Sequence, residues 1–134
     1  MSLEATASAW SPRMLSVLRI VTGLLFLQHG TWKFFGFPNF TDWPRPEIAT
    51  LPGIAGIFEL VGGILIVIGL FTRPVAFLLA GLMAVAYFHV HFPANFFPLI
   101  NGGELAALYC FVFLYLMCAG AGPWSVDAMR GGKA

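Results

Sequence analysis

The chain has 134 residues, of which 59% are hydrophobic and only 10% are charged. Soluble domains carry about 25% charged residues, so this composition excludes an ordinary soluble domain. The formal net charge of +1 offers no basic surface, and we expect no nucleic-acid partner. The length fits a single domain over residues 1–134.

Four apolar segments are long enough to span a bilayer, which requires about 20 residues. They cover about residues 12–35, 53–71, 74–92 and 102–119. Ser11 is predicted to cap the first helix, with Pro12 as its first helical residue. Short connections make neighbouring helices antiparallel, so the sequence predicts an all-α integral membrane protein folded as a four-helix bundle. The lipid bilayer is its first expected partner.

The basic residues are distributed unequally between the two sides of this predicted bundle. Five lie on the side of the termini, namely Arg13, Arg19, Arg73, Arg130 and Lys133. Two lie on the opposite side, Lys33 and Arg45. Because basic residues concentrate on the cytoplasmic side of a membrane protein, both termini are predicted to face the cytoplasm.

Polar residues from all four predicted helices fall in the outer half of the bundle. They are His29 and Lys33 on the first helix, Glu59 on the second, His89 and His91 at the end of the third, and Asn101 and Glu104 at the start of the fourth. Charges in a bilayer are costly and turn inward to pair, so these residues are predicted to form one polar cluster. His89 points about 200° away from His91, so both cannot face the bundle centre.

Helical spacing places several of these residues in stripes. One face of the first helix is predicted to carry Arg19, Thr22, Phe26, His29 and Lys33; one face of the second carries Gly56, Glu59 and Gly63; one face of the fourth carries Glu104, Leu108, Phe111, Tyr115 and Cys118. Simpler structural roles stay open for several members. Lys33 can extend to the outer headgroups and Arg19 to the inner ones. Asn101 and Glu104 also fit a helix cap with a capping-box acid.

The cluster favours a proton-linked site for a small, lipid-soluble ligand. A di-iron site needs four carboxylates, of which the cluster has only two, and ExxH motifs, which the sequence lacks. Haem ligation is disfavoured by the outer depth of the histidines, and a zinc site from two histidines and a glutamate is conceivable but has no diagnostic spacing. A quinone ring requires hydrogen-bond donors and a proton relay, which histidine, lysine and glutamate supply. The cofactor stays open: a quinone is compatible, whereas haem or a metal is not favoured.

Two sequence elements resemble the DoxX family of small four-helix membrane proteins. The first contains His29, Gly30, Lys33 and Gly36; the second contains Glu59, Gly62, Gly63, Gly69, Leu70, Thr72, Arg73 and Ala76. Histidines that close the third helix and "NGGELA" at residues 101–106 extend the similarity over about residues 14–120. The resemblance implies a prokaryotic inner-membrane protein. Some family members are membrane subunits of thiosulfate:quinone oxidoreductase, and others are linked to redox complexes that protect against thiol stress.

Two hypotheses of function follow. In the first, the chain is a quinone- or thiol-linked redox subunit, completed by a partner subunit or a second copy. His29, Lys33, His89, His91 and Asn101 then bind the ligand, and Glu59 and Glu104 act as catalytic proton relays. In the second, the chain is a non-enzymatic anchor or assembly subunit, and the cluster only locks the helices together. An open cavity at the cluster favours the first, and a fully packed ion-pair network favours the second.

The predicted orientation can be tested by labelling single cysteines in a chain whose Cys110 and Cys118 are replaced. An impermeant maleimide added from outside should modify Arg45→Cys and spare Arg130→Cys, because the basic asymmetry places position 130 in the cytoplasm. Labelling of position 130 alone would reverse the orientation.

Overall fold

The computed structural model describes residues 1–131 and is all-helical over that range, with no strand among the described residues. This confirms the all-α prediction. The helices are α1 (Leu3–Phe35), α2 (Leu51–Ile68), α3 (Thr72–Ala86), which continues into a π-helical turn (Tyr87–His91), α4 (Pro98–Asn101), α5 (Glu104–Ala119) and α6 (Val126–Met129).

Three of the described helices are long and apolar enough to cross a membrane: Leu3–Phe35, Leu51–Ile68 and Thr72–His91. The helix Glu104–Ala119 is apolar but shorter. Large apolar side chains on all four of these helices remain exposed, among them Leu24, Ile57, Phe77 and Phe111. Such a surface is unfavourable in water, and on the three membrane-capable helices it fits contact with the lipid bilayer.

The first helix begins nine residues earlier than predicted. Ser2, not Ser11, is its N-cap, and the Ser2 hydroxyl accepts a hydrogen bond from the Ala5 amide at 3.1 Å. Pro12 therefore lies inside the helix instead of opening it. The sequence "LEATASAW" before it is rich in alanine, which stabilises the helix on the N-terminal side of the proline.

The other predicted boundaries are displaced by shorter steps. The second helix begins and ends earlier than 53–71, and the third begins at Thr72 instead of residue 74. A separate turn of helix precedes α5, so the fourth helix begins at Glu104 instead of residue 102. The N-cap of α5 is Gly103, which provides no side-chain hydrogen bond, so the predicted capping box does not form.

Helices α1 and α2 pack as one pair and α3 and α5 as another. Gly30 allows the closest approach of the first pair. A Cβ added there would lie 2.6 Å from the backbone nitrogen of Leu60, closer than real contacts allow. A Cβ added at Gly63 would likewise lie only 2.9 Å from the Cα of Leu27. These small residues let the two helix backbones meet, as is common in membranes, and set α1 against α2 near Glu59.

An aromatic cluster joins the two helix pairs at the centre. The Phe26 ring on α1 lies edge-on to the rings of Tyr109 and Phe113 on α5, with centroids 5.4 and 5.0 Å away. Edge-to-face contact is a favoured arrangement of aromatic rings. All three residues are buried, together with Leu79 of α3. This cluster separates a polar end of the molecule, which contains His29 and Glu59, from the opposite end, which contains Arg19.

Arg19 is fully buried, which corrects the interpretation that it extends to the headgroups. Its Nε donates to the Ile66 carbonyl at 2.9 Å, and its Nη2 donates to the Trp124 carbonyl at 2.7 Å. Its Nη1 donates to the Ala121 carbonyl. The Ile66 carbonyl also accepts from the Gly69 amide at 3.2 Å, and the guanidinium adds donors to carbonyls near the end of α2 and after α5 that lipid could not supply. Arg19 therefore ties α1 to α2 and to the segment after α5, and is not a surface charge of the kind that the orientation rule counts. Lys133, also counted there, lies outside the described residues.

Asp127 completes the Arg19 end from α6. Its Oδ1 accepts a hydrogen bond from the Phe71 amide at 2.9 Å, and its Oδ2 accepts one from the Thr72 amide at 3.0 Å. Partial burial raises the pKa of this carboxyl group, but the hydrogen bonds from Thr72 and Phe71 and the charge of Arg130 together hold its pKa below the usual value. An ionised acid at the first turn of α3 also complements the helix dipole.

The close approach at Gly30 can be tested with two matched substitutions. Gly30→Ala should destabilise the protein because the new methyl group meets the backbone of α2, where nothing can move aside cheaply. Gly81→Ala is the control, since no atom lies within 4 Å of the added Cβ and alanine favours a helix. We expect unfolding in detergent to show a loss of about 1–3 kcal/mol for the first variant and no loss for the second. Equal stability of the two variants would contradict the tight packing of α1 on α2.

Candidate functional site

A cavity of about 250 Å³ lies at the polar end, between the two helix pairs. Helices α1, α2, α3 and α5 and the π-helical turn all contribute to its wall. Its lining consists of Phe26, His29, Glu59, Met83, Ala86, His91, Gly102, Leu105, Ala106 and Tyr109. The cavity is therefore mostly apolar, with four polar side chains, which is the usual character of a small-molecule site.

Glu59 forms an ion pair with Lys33 across the α1–α2 contact. The Lys33 Nζ lies 2.9 Å from the Glu59 Oε1, and both side chains are largely buried. The other carboxylate oxygen, Oε2, is buried and accepts a hydrogen bond from no described residue. A buried acceptor without a donor costs free energy, so Glu59 is only half satisfied by its own protein.

His29 on α1 and Tyr109 on α5 lie next to each other in the cavity wall. Their ring centroids are 6.3 Å apart and the rings are nearly perpendicular. The two residues form no side-chain hydrogen bond with the rest of the described chain. Each carries a group that can both donate and accept a hydrogen bond. His29 follows Phe26 by three residues on the same face of α1, so the stripe predicted for that helix is the face that the structure buries.

His91 reaches the cavity from the π-helical turn, in which the Phe92 amide bonds the Tyr87 carbonyl at 2.9 Å, five residues back. The His91 Nδ1 lies 3.0 Å from the carbonyl oxygen of Asn101. Since a carbonyl only accepts hydrogen bonds, Nδ1 carries a proton, and in the neutral tautomer that this contact selects Nε2 is the acceptor. Single π-helical turns are frequent at functional sites.

Asn101 organises this wall from behind and does not line the cavity. Its side-chain nitrogen donates to the Asn95 carbonyl at 2.9 Å and to the Tyr87 hydroxyl at 3.3 Å. Its side-chain oxygen accepts from the Gly103 amide at 2.7 Å. Asn101 is buried by these contacts, which hold the loop between the π-helical turn and α5.

The predicted cluster is only partly assembled. The structure brings His29, Lys33, Glu59 and His91 together, with Asn101 behind them. His89 is exposed on the far side of the π-helical turn, as expected from its angle to His91. Glu104 is also exposed and lines a separate groove, which shares Gly102 and Leu105 with the cavity.

Tyr109 is the cavity residue that sequence reasoning missed. The residues predicted to share one face of the fourth helix do so, but that face is exposed, as Leu108, Phe111 and Tyr115 show. The buried face consists of Tyr109, Phe113 and Leu116, at intervals of four and three residues. Both faces have the same spacing of three and four residues, so the spacing alone does not tell which is buried. The prediction counted from Glu104, whereas the buried face is found by counting from Tyr109.

The polar groups of the cavity are two imidazoles, a carboxylate and a phenol. Such groups hold hydrogen bonds and transfer protons near neutral pH. Within residues 1–131, no group of three or more His, Cys, Asp or Glu side chains is close enough to hold a metal ion.

The sequence is similar to that of a known family and of several known proteins. The DoxX family model matches residues 14–92. The chain is 44% identical over 122 residues to an uncharacterized protein of Haemophilus influenzae, covering 88% of this chain and 91% of that one. It is 29% identical to "Putative oxidoreductase CatD" of Bacillus subtilis, covering 83% of this chain and 82% of that one. It is 37% identical to "Inner membrane protein YphA" of Escherichia coli over 73 residues, 50% of this chain and 51% of that one. No solved structure matches the chain.

The ion pair at the cavity should behave as a coupled unit. Glu59→Gln and Lys33→Met should each destabilise the protein more than the double substitution does, because each single change leaves the partner charge buried alone. A double-mutant cycle on the free energy of unfolding should give a coupling of about 0.5–3 kcal/mol. Pairing Lys33→Met with Glu47→Gln, at an exposed carboxylate, is the control and should be additive. Additivity at Glu59 would show that the two charges do not interact.

Proposed function

The chain belongs to the DoxX family and is an integral membrane protein, and on that premise we propose that it is a redox-linked membrane subunit whose cavity binds a quinone-type ring. In this proposal α5 is the fourth membrane span, and both termini lie in the cytoplasm beneath the inner membrane of a prokaryote. A partner subunit or a second copy completes the reaction, as the sequence hypothesis expects.

The half-satisfied Glu59 at the wall of an open cavity is the observation that carries this proposal. A fully packed ion-pair network would have favoured the anchor hypothesis, but the only ion pair among the described residues borders a void. An apolar cavity of about 150 Å³ holds a benzene molecule. The 250 Å³ available here accommodates one substituted six-membered ring.

The polar residues have distinct roles in the proposed site. His29 and Tyr109 hydrogen-bond the ring oxygens, and Glu59 exchanges a proton with the ligand. Lys33 holds Glu59 in place through the 2.9 Å ion pair and acts as a positioning residue. Asn101 positions the wall that contains His91. His89 and Glu104 lie outside the cavity and are not part of the proposed ligand shell.

The names of two relatives support the class and the place of the proposed activity. One relative is named as an oxidoreductase, and another as an inner membrane protein. Apolar residues in the groove beside the cavity, Leu99, Leu105 and Leu108, suit a ligand that enters from lipid. A ring carried by an apolar tail fits both features.

The proposal can be tested by titrating the detergent-solubilised protein with a short-chain quinone analogue. Arg19→Ala would be a poor control, since that side chain is buried among carbonyl groups and its loss would disturb the fold. Gln28→Ala, at an exposed position beside His29 on α1, is the matched control. His29→Ala should weaken binding by about 1–3 kcal/mol, the cost of leaving a buried acceptor without its donor, and Gln28→Ala should leave binding unchanged. Absence of binding by the folded parent to the analogue in both its quinone and its quinol form would refute the proposal, and equal losses in both variants would indicate general destabilisation.

A further inference from the structure

We propose that the cavity selects the hydroxyl form of the ring, a quinol or a related phenol, over the carbonyl form. This inference rests on the proposed function, since it requires that the cavity binds such a ring. It adds a preference between two chemical states that have almost the same size and shape.

The preference follows from the donors and acceptors that line the cavity. Glu59, as the carboxylate partner of Lys33, is an acceptor with about four lone-pair sites and no proton to donate. Lys33 occupies one of those sites at 2.9 Å, and Oε2 has no donor from the described residues. The terminal torsion of a glutamate side chain is soft, so a small rotation presents a free lone pair to a ligand.

His91 adds a second acceptor to the same wall. Its Nδ1 proton is committed to the Asn101 carbonyl at 3.0 Å, so the neutral ring has only the Nε2 lone pair left to offer. Only His29 and Tyr109 among the polar lining residues retain a free donor. The cavity therefore contains two groups that only accept and two that can do either.

A quinone and a quinol differ in the hydrogen bonds that they can form with these four polar residues. A quinone has carbonyl lone pairs and no donor, so it can pair with His29 and Tyr109 but leaves Glu59 and His91 facing other acceptors. A quinol has two hydroxyl groups, each of which donates to one acceptor while accepting from His29 or Tyr109. Buried polar groups left without a partner are the usual source of strong discrimination between ligands of equal size.

The experiment compares three probes on the folded, detergent-solubilised protein under anaerobic conditions: trimethylhydroquinone, trimethylbenzoquinone and hydroquinone dimethyl ether. Isothermal titration should show that the hydroquinone binds at least about tenfold more tightly than the quinone does. The reason is that the quinone leaves a buried acceptor unpaired, and a loss of this kind weakens binding by about that factor. The dimethyl ether keeps the ring and oxygens but has no donor, and it should bind as weakly as the quinone or more weakly.

The double variant Lys33→Met with Glu59→Gln tests the source of the preference. It removes both charges together, and the new amide supplies a donor as well as an acceptor. The ratio of hydroquinone to quinone affinity should fall several-fold in this variant and stay at the parent value in Glu47→Gln. Circular dichroism and gel filtration establish that each variant is folded before titration.

The outcomes separate this inference from the proposed function. Equal or tighter binding of the quinone by the parent would overturn the inference and leave the quinone-type site standing. An unchanged ratio in the double variant would also overturn it, because Glu59 would then not be the selecting group. If none of the three probes binds to the parent protein, both the proposed function and this inference are overturned.

Discussion

The ion pair between Lys33 and Glu59 is the interaction on which the polar end of the protein depends. Neither charge is tolerable alone in hydrocarbon, so each fixes the position of the other. They can meet only because Gly30 and Gly63 let the backbones of α1 and α2 come into contact. The contact and the ion pair therefore set one register for the helix pair, and that register places Glu59 at the cavity wall.

The buried charges at the two ends of the molecule differ in how completely their hydrogen bonds are satisfied. At one end the Arg19 guanidinium is surrounded by backbone carbonyls from α2 and from the segment after α5, and its hydrogen-bonding capacity is used internally. At the other end Glu59 is left with a free oxygen beside a void. A satisfied polar network rigidifies a fold, whereas an incompletely satisfied one is unfavourable unless something else completes it. The Glu59 end is therefore the one that a ligand can complete.

Much of the first two helices was readable from the sequence. A buried polar face on α1 and the inward position of Glu59 follow from helical periodicity together with the cost of charges in lipid, and these two rules leave few alternatives. They fail at Arg19, because its partners are carbonyls and the sequence gives no sign of which carbonyls lie nearby. The start of α1 differs from its prediction because Pro12 fits the first turn of a helix and also fits within a helix already begun by alanines. Tyr109 was missed because α5 is apolar on every side, so its period does not reveal which face is buried.

The π-helical turn has a consequence for the phase of the third helix. In an uninterrupted α-helix, residues seven apart differ by only about 20° around the axis, whereas residues eight apart differ by about 80°. A regular helix would therefore align Val90 with Met83 on the cavity face. The wider turn absorbs about one extra residue, and it is His91 that lines the cavity with Met83. One residue of additional backbone, inserted in a single turn, thus decides that this wall carries an imidazole instead of an isopropyl group.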